Sequence, residues 1–263
     1  QEASIQEPME YLNRELSLLG LENHCIHTGP IIRKEEEYSE MDYIERRKIF
    51  NKMVTFMRQS GVKYKAFHIE KKHIEDIVEA TGKLSKQISV FIREHYDFLL
   101  SFDLVKIYYD NGQVELNKIL STLFNAFLPR VEFRKVKPSD YRLFQVADMI
   151  CTFELLKLKI QNHSFSKSEQ IFFGSVNDLK RNYLKIVKRQ DIDHSLELFL
   201  PSLNLFNLFC PFGISVILQL ELYRFHHFFP SFIIQLVKGS QQIIHIRHTV
   251  FPEKIHKRVH GIF

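Results

Sequence analysis

One helix in the second half of the chain limits the folds open to this sequence. From Tyr141 to about Ile160, apolar residues recur at helical spacing and cover nearly every side of the predicted helix. A helix that is apolar all round is buried, and we expect this one to lie against a β-sheet. The chain should therefore contain at least one layer of helices packed on strands.

Three segments upstream of this helix have the composition of strands. They are Val62–Ile69, which alternates apolar and polar residues, then Leu104–Asp110 and Val131–Val136. Helical patterns separate them, from about Ile74 to Leu100 and from Val114 to Leu128. This alternation predicts an α/β fold with some parallel strand pairing.

The character of the sequence changes after about Arg189. Residues 191–263 hold ten of the 24 phenylalanines and seven of the 13 histidines, but five of the 31 acidic residues. We therefore divide the chain into an α/β domain, 1–190, and an irregular, hydrophobic and His-rich tail, 191–263. Three origins are open for the tail: a translation artefact, a genuine divergent extension, and a membrane anchor.

The anchor hypothesis comes from Leu198–Leu220, which carries no charge and is long enough to cross a bilayer of roughly 30 Å. Polar and helix-breaking residues within it argue against a membrane span, because their polar groups need partners in lipid. They are Pro201, Asn204, Asn207, Pro211, Gly213 and Gln219. A membrane association is therefore not expected.

Composition restricts the compartment and the partners. The three cysteines form no CxxC pair, so neither a disulfide framework nor a zinc knuckle is predicted, and a cytoplasmic location is expected. The chain begins with Gln1 and shows no signal-peptide pattern. The net charge of +5 permits contact with nucleic acid without implying it. No small-molecule cofactor is evident.

Asp148 is the first candidate for chemistry, because it lies inside the apolar surface of the long helix. A buried carboxylate is costly unless it is paired, hydrogen-bonded or bound to a metal. It shares a helical stripe with Phe144 and Cys151, and Gln145 lies one turn earlier. The structural alternative is that Asp148 pairs with a buried arginine or caps a neighbouring backbone.

Asp110 is the second candidate, at the carboxyl end of a predicted buried strand, where α/β folds place their ligands. Its alternative role is an ordinary turn residue beside Asn111 and Gly112. Asp110 and Asp148 together could hold Mg²⁺ or Mn²⁺, which prefer oxygen ligands. Glu154 is a poor third ligand, because it points to another side of the helix.

Two further groups of residues are weaker candidates. His24 and His27 flank Cys25 in a turn-rich segment, and we expect a solvent-exposed loop pair in preference to metal ligands. Several basic clusters could contact phosphates or serve simply as solvated faces. They are Arg46-Arg47-Lys48, Arg134-Lys135 with Lys137, and Lys180-Arg181.

Four segments also carry a family resemblance. They are His24–Arg33, Val105–Asp110, Lys135–Asp148 and Phe172–Ser175, within a match from Leu12 to Arg189. Together they resemble a bacterial family of unknown function with a ribonuclease-H-like fold, an opening Asp-Glu-Ser strand and a later Gln-x-Ala-Asp motif. Gln145-Val-Ala-Asp148 fits the later motif.

The resemblance implies a mixed sheet flanked by helices and a divalent-metal-dependent nuclease or phosphodiesterase. It implies that Asp148 and Asp110 bind the metal, with Gln145 orienting substrate or a water. The Asp-Glu-Ser motif does not occur in this sequence. We therefore expect a domain truncated at its N-terminus, inactive and poorly stable, with exposed strand edges. The rival hypothesis is a non-catalytic module that binds nucleic acid or protein.

Overall fold

A computed structural model shows a mixed α/β fold. It describes residues 3–70, 76–109, 114–136 and 141–192, and the backbone of 215–223 and 231–237. Its α-helices are α1 (Ala3–Ser17), α2 (Thr28–Arg33), α3 (Tyr43–Gln59), α4 (Ile77–Glu94), α5 (Tyr96–Leu100), α6 (Val114–Phe127), α7 (Arg142–Gln161), α8 (Lys167–Phe173), α9 (Val176–Leu179) and α10 (Lys185–Lys188). A π-helical turn, Lys180–Leu184, joins α9 to α10.

The sheet has five strands, which are β1 (Lys63–Glu70), β2 (Leu104–Tyr109), β3 (Val131–Lys135), β4 (Ser215–Tyr223) and β5 (Ser231–Val237). Their order across the sheet is β1-β4-β5-β2-β3. The β1–β4 and β2–β3 pairs are parallel, whereas β5 is antiparallel to both of its neighbours. The sheet is therefore mixed, as the sequence predicted.

Both inner strands come from the tail, where we expected irregular structure. β4 pairs with β1 from Lys63 opposite Val216 to Glu70 opposite Tyr223. β5 pairs with β2 and with β4, so the two tail strands lie between β1 and β2 in the sheet. Residues 218–222 do alternate apolar and polar side chains, but we treated most of β4 as part of a charge-free segment that ends at Leu220. The rest of 193–263 lies outside the described residues.

Helices cover both faces of the sheet. Tyr64 on β1 points toward α7, where its hydroxyl donates a hydrogen bond to Glu154. Phe67 points the other way, toward α4, where its ring meets that of Phe91 at 5.9 Å. Helix α3 packs on α7 through Phe50 and Phe153, whose ring centroids are 5.8 Å apart. The long apolar helix is thus buried in the layer where the sequence placed it.

Local sequence signals explain several helix ends. A capping box begins α8: Ser166 accepts from the backbone of Glu169, whose carboxylate accepts from the backbone of Ser166. Asp42 and Glu45 form the same motif at α3. The predicted helix from Ile74 to Leu100 is instead two helices, α4 and α5, that meet at His95.

One helix lies where the sequence predicted only turns. Helix α2 begins at Thr28, directly after the His24–His27 segment, and has six residues. Lys34, which has a left-handed backbone conformation, ends it.

No helix among the described residues is long and apolar enough to cross a membrane.

Candidate functional site

Asp148 is a partly exposed carboxylate in the first half of α7, which is otherwise mostly buried. From Leu143 to Cys151 every residue except Asp148 is buried, and Asp148 is partly exposed. Its Oδ2 atom accepts a hydrogen bond of 2.8 Å from the backbone N–H of Thr28. The structure therefore places this carboxylate at the N-terminus of α2, where helical N–H groups lack partners within the helix.

The other end of α2 is held by Arg46 of α3. Its Nη1 donates to the carbonyl oxygen of Ile31 at 2.5 Å and to that of Ile32 at 3.3 Å. Arg46 is buried, and burial lowers the pKa of its guanidinium. The two roles that the sequence suggested for its cluster, phosphate contact and a solvated face, both require exposure, so they do not apply to Arg46. The free carbonyls of α2 explain the difference, because they give a buried guanidinium its partners.

Arg142 fastens the segment before α2 to the start of α7. One of its guanidinium nitrogens donates to the carbonyl of His24 at 2.7 Å and the other to that of Glu22 at 2.6 Å. Its Nε donates to Asn13 of α1 at 3.1 Å. A single side chain thus links α1, the loop and α7. The guanidinium group can do this because it presents several N–H donors in one plane, which a lysine ammonium group does not.

Gln145 lies fully buried beneath the same loop. It accepts from Arg142 Nη1 at 3.1 Å, and its amide nitrogen lies 3.8 Å from the sulfur of Cys25. The Gln-x-Ala-Asp segment therefore faces the His24–Thr28 segment through both of its polar residues. Two of the segments that carry the family resemblance, the one around Cys25 and the one that ends at Asp148, are therefore neighbours in the structure.

His24 and His27 are partly buried, so the exposed loop pair that we expected is wrong. The side chain of His24 is 15% exposed, and its Nε2 lies 2.7 Å from the hydroxyl of the buried Tyr38. That hydroxyl also accepts from the backbone N–H of His27 at 3.4 Å. Burial lowers the pKa of His24 and raises that of Tyr38. The ring of His24 and the backbone N–H of His27 therefore hold the loop against Tyr38.

Asp110 follows Tyr109, the last residue of β2, and itself lies outside the described residues. The ring of Tyr108 contacts that of Tyr141 at 6.0 Å, so the end of β2 lies beside the start of α7. Among the described residues, no group of three or more His, Cys, Asp or Glu side chains is arranged to hold a metal ion. Asp148 is thus the one candidate carboxylate that the structure positions.

Glu154 takes part in a separate polar cluster on α7 and β1, as its helical position suggested. It is buried, accepts from Tyr64 at 2.6 Å, and forms an ion pair with Lys157. His68 lies at 4.0 Å from its other oxygen. These partners account for a buried carboxylate at this position.

The basic clusters differ in their surroundings. Arg47 is half-buried, and its guanidinium lies over the rings of Tyr43, Phe172 and Tyr183, so in the first cluster only Lys48 is fully exposed. Arg134 pairs with Glu132 at 2.6 Å. Lys180 and Arg181 are exposed, and Lys137 lies outside the described residues.

Sequence reasoning missed three residues that build the site: Thr28, Arg46 and Arg142. The signal that singled out Asp148, a charge inside an apolar helix, applies equally to Arg142. No local signal marks Thr28, whose partner is 120 residues away in the chain.

No protein-family model matches this chain, and no curated protein or solved structure matches it either. The resemblance to a ribonuclease-H-like family therefore stays a prediction, carried by the quoted segments and their positions.

Proposed function

We propose that this chain derives from a ribonuclease-H-like nuclease or phosphodiesterase that depends on a divalent metal, that Asp148 is a metal ligand, and that this copy is itself inactive. The single observation that carries this proposal is the position of Asp148. It is the partly exposed residue in a stretch of α7 that is otherwise buried, and a backbone N–H fixes its carboxylate. A fixed carboxylate at the surface of a rigid helix is suited to ligation.

The donor chemistry fits a hard cation. Carboxylate oxygens are the ligands that Mg²⁺ and Mn²⁺ prefer, and Thr28 engages Oδ2 of Asp148. Asp110 is the proposed second ligand, because the end of β2 lies beside the start of α7. When bound, the cation would polarise a phosphoryl oxygen and activate a water. Gln145, being fully buried, is assigned a positioning role toward the Cys25 segment.

Asp148 also supports a second candidate function, a non-catalytic interaction module. Its carboxylate accepts from the N-terminus of α2, and Arg46 holds the other end of that helix. This arrangement serves stability without any metal, as an N-cap does. In this case the same fold presents a surface to nucleic acid or protein, and the resemblance concerns structure alone.

The test is calorimetric titration of Mn²⁺ into the full chain and into Asp148→Asn. The matched control is Asp42→Asn, because Asp42 also accepts a helix N-terminal N–H but lies at α3. We expect binding to the wild-type chain and to the control, and at least a tenfold loss, roughly, for Asp148→Asn. Equal Mn²⁺ affinity in all three chains, or none, would favour the interaction module.

The location of the protein in the cell is also part of this proposal. The three cysteines have no spacing typical of a disulfide framework, which favours a reducing compartment, and we therefore assign the domain to the cytoplasm.

A further inference from the structure

The helical segment from Val176 to Lys188 carries an exposed edge that is strongly basic. Five basic residues lie along it and at its end, and all are exposed: Lys180, Arg181, Lys185, Lys188 and Arg189. Two acidic residues, Asp178 and Asp191, accompany them, so 178–191 has a net charge of +3. That is a large share of the +5 carried by the whole chain.

Folding concentrates these charges on one side. Leu179, Tyr183, Leu184 and Val187 are buried in the core, which leaves the remaining side of the helix to the cations. The π-helical turn at Lys180–Leu184 adds a residue to one turn and changes which side chains align beyond it. From Lys180 to Arg189 the basic edge extends about 13 Å along the helix axis.

A sixth cation extends the edge onto the sheet. Lys63, the first residue of β1, donates through Nζ to the carbonyl oxygen of Arg189 at 3.2 Å. Asp178 forms an ion pair with Arg181 at 3.2 Å, so part of the acidic charge lies at the beginning of the segment. The end that contains Lys185 and Lys188 is therefore the more positive one.

We propose that this basic edge, the exposed side of 180–189 with Lys63, binds the phosphate backbone of double-stranded nucleic acid. Exposed lysine and arginine side chains along a helix neutralise phosphates and release counterions, which supplies binding without sequence specificity. This proposal does not involve Asp148 and goes beyond the metal chemistry proposed above.

The side chains argue for a duplex in preference to a single strand or a membrane. Proteins that bind single strands stack bases on aromatic side chains, and the aromatic residue of this segment, Tyr183, is buried. A helix that lies in a membrane interface needs exposed apolar residues. Leu179, Leu184 and Val187 are instead buried.

The test measures binding of the full chain to a short fluorescent duplex by anisotropy over a range of salt concentrations. We expect the logarithm of the affinity to fall with the logarithm of salt with a slope of about −3 to −4.5, for three to five phosphate contacts. The double variant Lys185→Gln/Lys188→Gln should make that slope shallower by about 2 and weaken binding at low salt about tenfold.

The matched control is Lys86→Gln/Lys118→Gln, which removes the same charge from exposed positions on α4 and α6. It should retain the wild-type slope. Equal weakening of both double variants would overturn the proposal, because overall charge would then explain binding. Binding to phosphatidylserine vesicles but not to the duplex would also overturn it. Lys185→Gln/Lys188→Gln should bind Mn²⁺ as the wild-type chain does, so failure here is distinguishable from failure of the metal proposal.

Discussion

Asp148 and Arg46 hold opposite ends of the same six-residue helix, α2. Asp148 accepts from the backbone N–H of Thr28 at the N-terminus, and Arg46 donates to the carbonyls of Ile31 and Ile32 at the C-terminus. Each charge has the sign that a helix dipole favours at its end. A helix this short is not stable by itself, so these contacts from α7 and α3 determine its position.

Replacing Asp148 with alanine should destabilise the protein whether or not metal is present. The substitution leaves the N–H of Thr28 without its acceptor, so we expect the free energy of unfolding to fall by about 1–2 kcal/mol. Asp148→Asn keeps an acceptor at that position and should lose less. Urea denaturation with excess EDTA measures both. Asp148→Ala with unchanged unfolding free energy would show that the hydrogen bond contributes nothing to stability.

Arg46→Ala should lower the free energy of unfolding by more than Asp148→Ala does. Arg46 is buried, and its removal leaves two carbonyls of α2 without a donor. We expect a loss of about 2–4 kcal/mol in unfolding free energy, measured by urea denaturation. The adjacent Lys48 is exposed on the same helix, and Lys48→Ala should change stability by less than about 0.5 kcal/mol. Similar losses in the two variants would contradict this account of Arg46.

The periodicity of apolar residues was sufficient to predict the helices and strands that have one clear apolar face or are apolar all round. β1, β2 and β3 lie where the sequence placed them, as do α6 and α7. Helix α2 could not be found this way, because Gly29 and Pro30 favour a turn and its ends depend on distant side chains. β4 was missed although residues 218–222 alternate apolar and polar side chains, because most of the strand was treated as part of the charge-free segment Leu198–Leu220.

The candidate site was predictable only in part, for a related reason. Asp148 stood out as a charge in an apolar helix, and the alternative that it caps a neighbouring backbone describes its contact with Thr28. The loop around Cys25 could not be assigned to it, because Arg142 and Gln145 join loop and helix across about 120 residues of chain. Such long-range contacts have no local pattern.

Stability should depend on pH through His24. Burial lowers the pKa of His24 below its ordinary value of 6.5, although nearby Glu37 acts in the opposite direction. As the pH falls through 6.5, the unfolded chain takes up this proton first, so stability present above that pH is lost toward the lower pKa of the folded state. His24→Gln should remove this contribution.

The measurement compares urea unfolding free energies of the wild type and His24→Gln from about pH 8 to about pH 5. The wild type should lose stability more steeply below pH 6.5 than the variant does. His163→Gln is the control, because His163 is exposed, and its profile should follow the wild type. Parallel profiles for wild type and His24→Gln would mean that His24 is not held neutral by the fold.

The two inner strands give the tail a testable role. A chain ending at residue 192 lacks β4 and β5, so β1 and β2 lose the backbone partners that separate them in the sheet. We expect that chain to lose cooperative urea unfolding and to aggregate, because unpaired strand edges recruit other chains. A chain ending at residue 237 keeps both strands and should unfold cooperatively, like the full chain.

If the shorter chain unfolds cooperatively at the same urea concentration as the full chain, the tail is dispensable and its origin as an artefact gains support. If only the longer one does, β4 and β5 are part of the folded domain, and the boundary that the sequence placed near residue 190 is wrong.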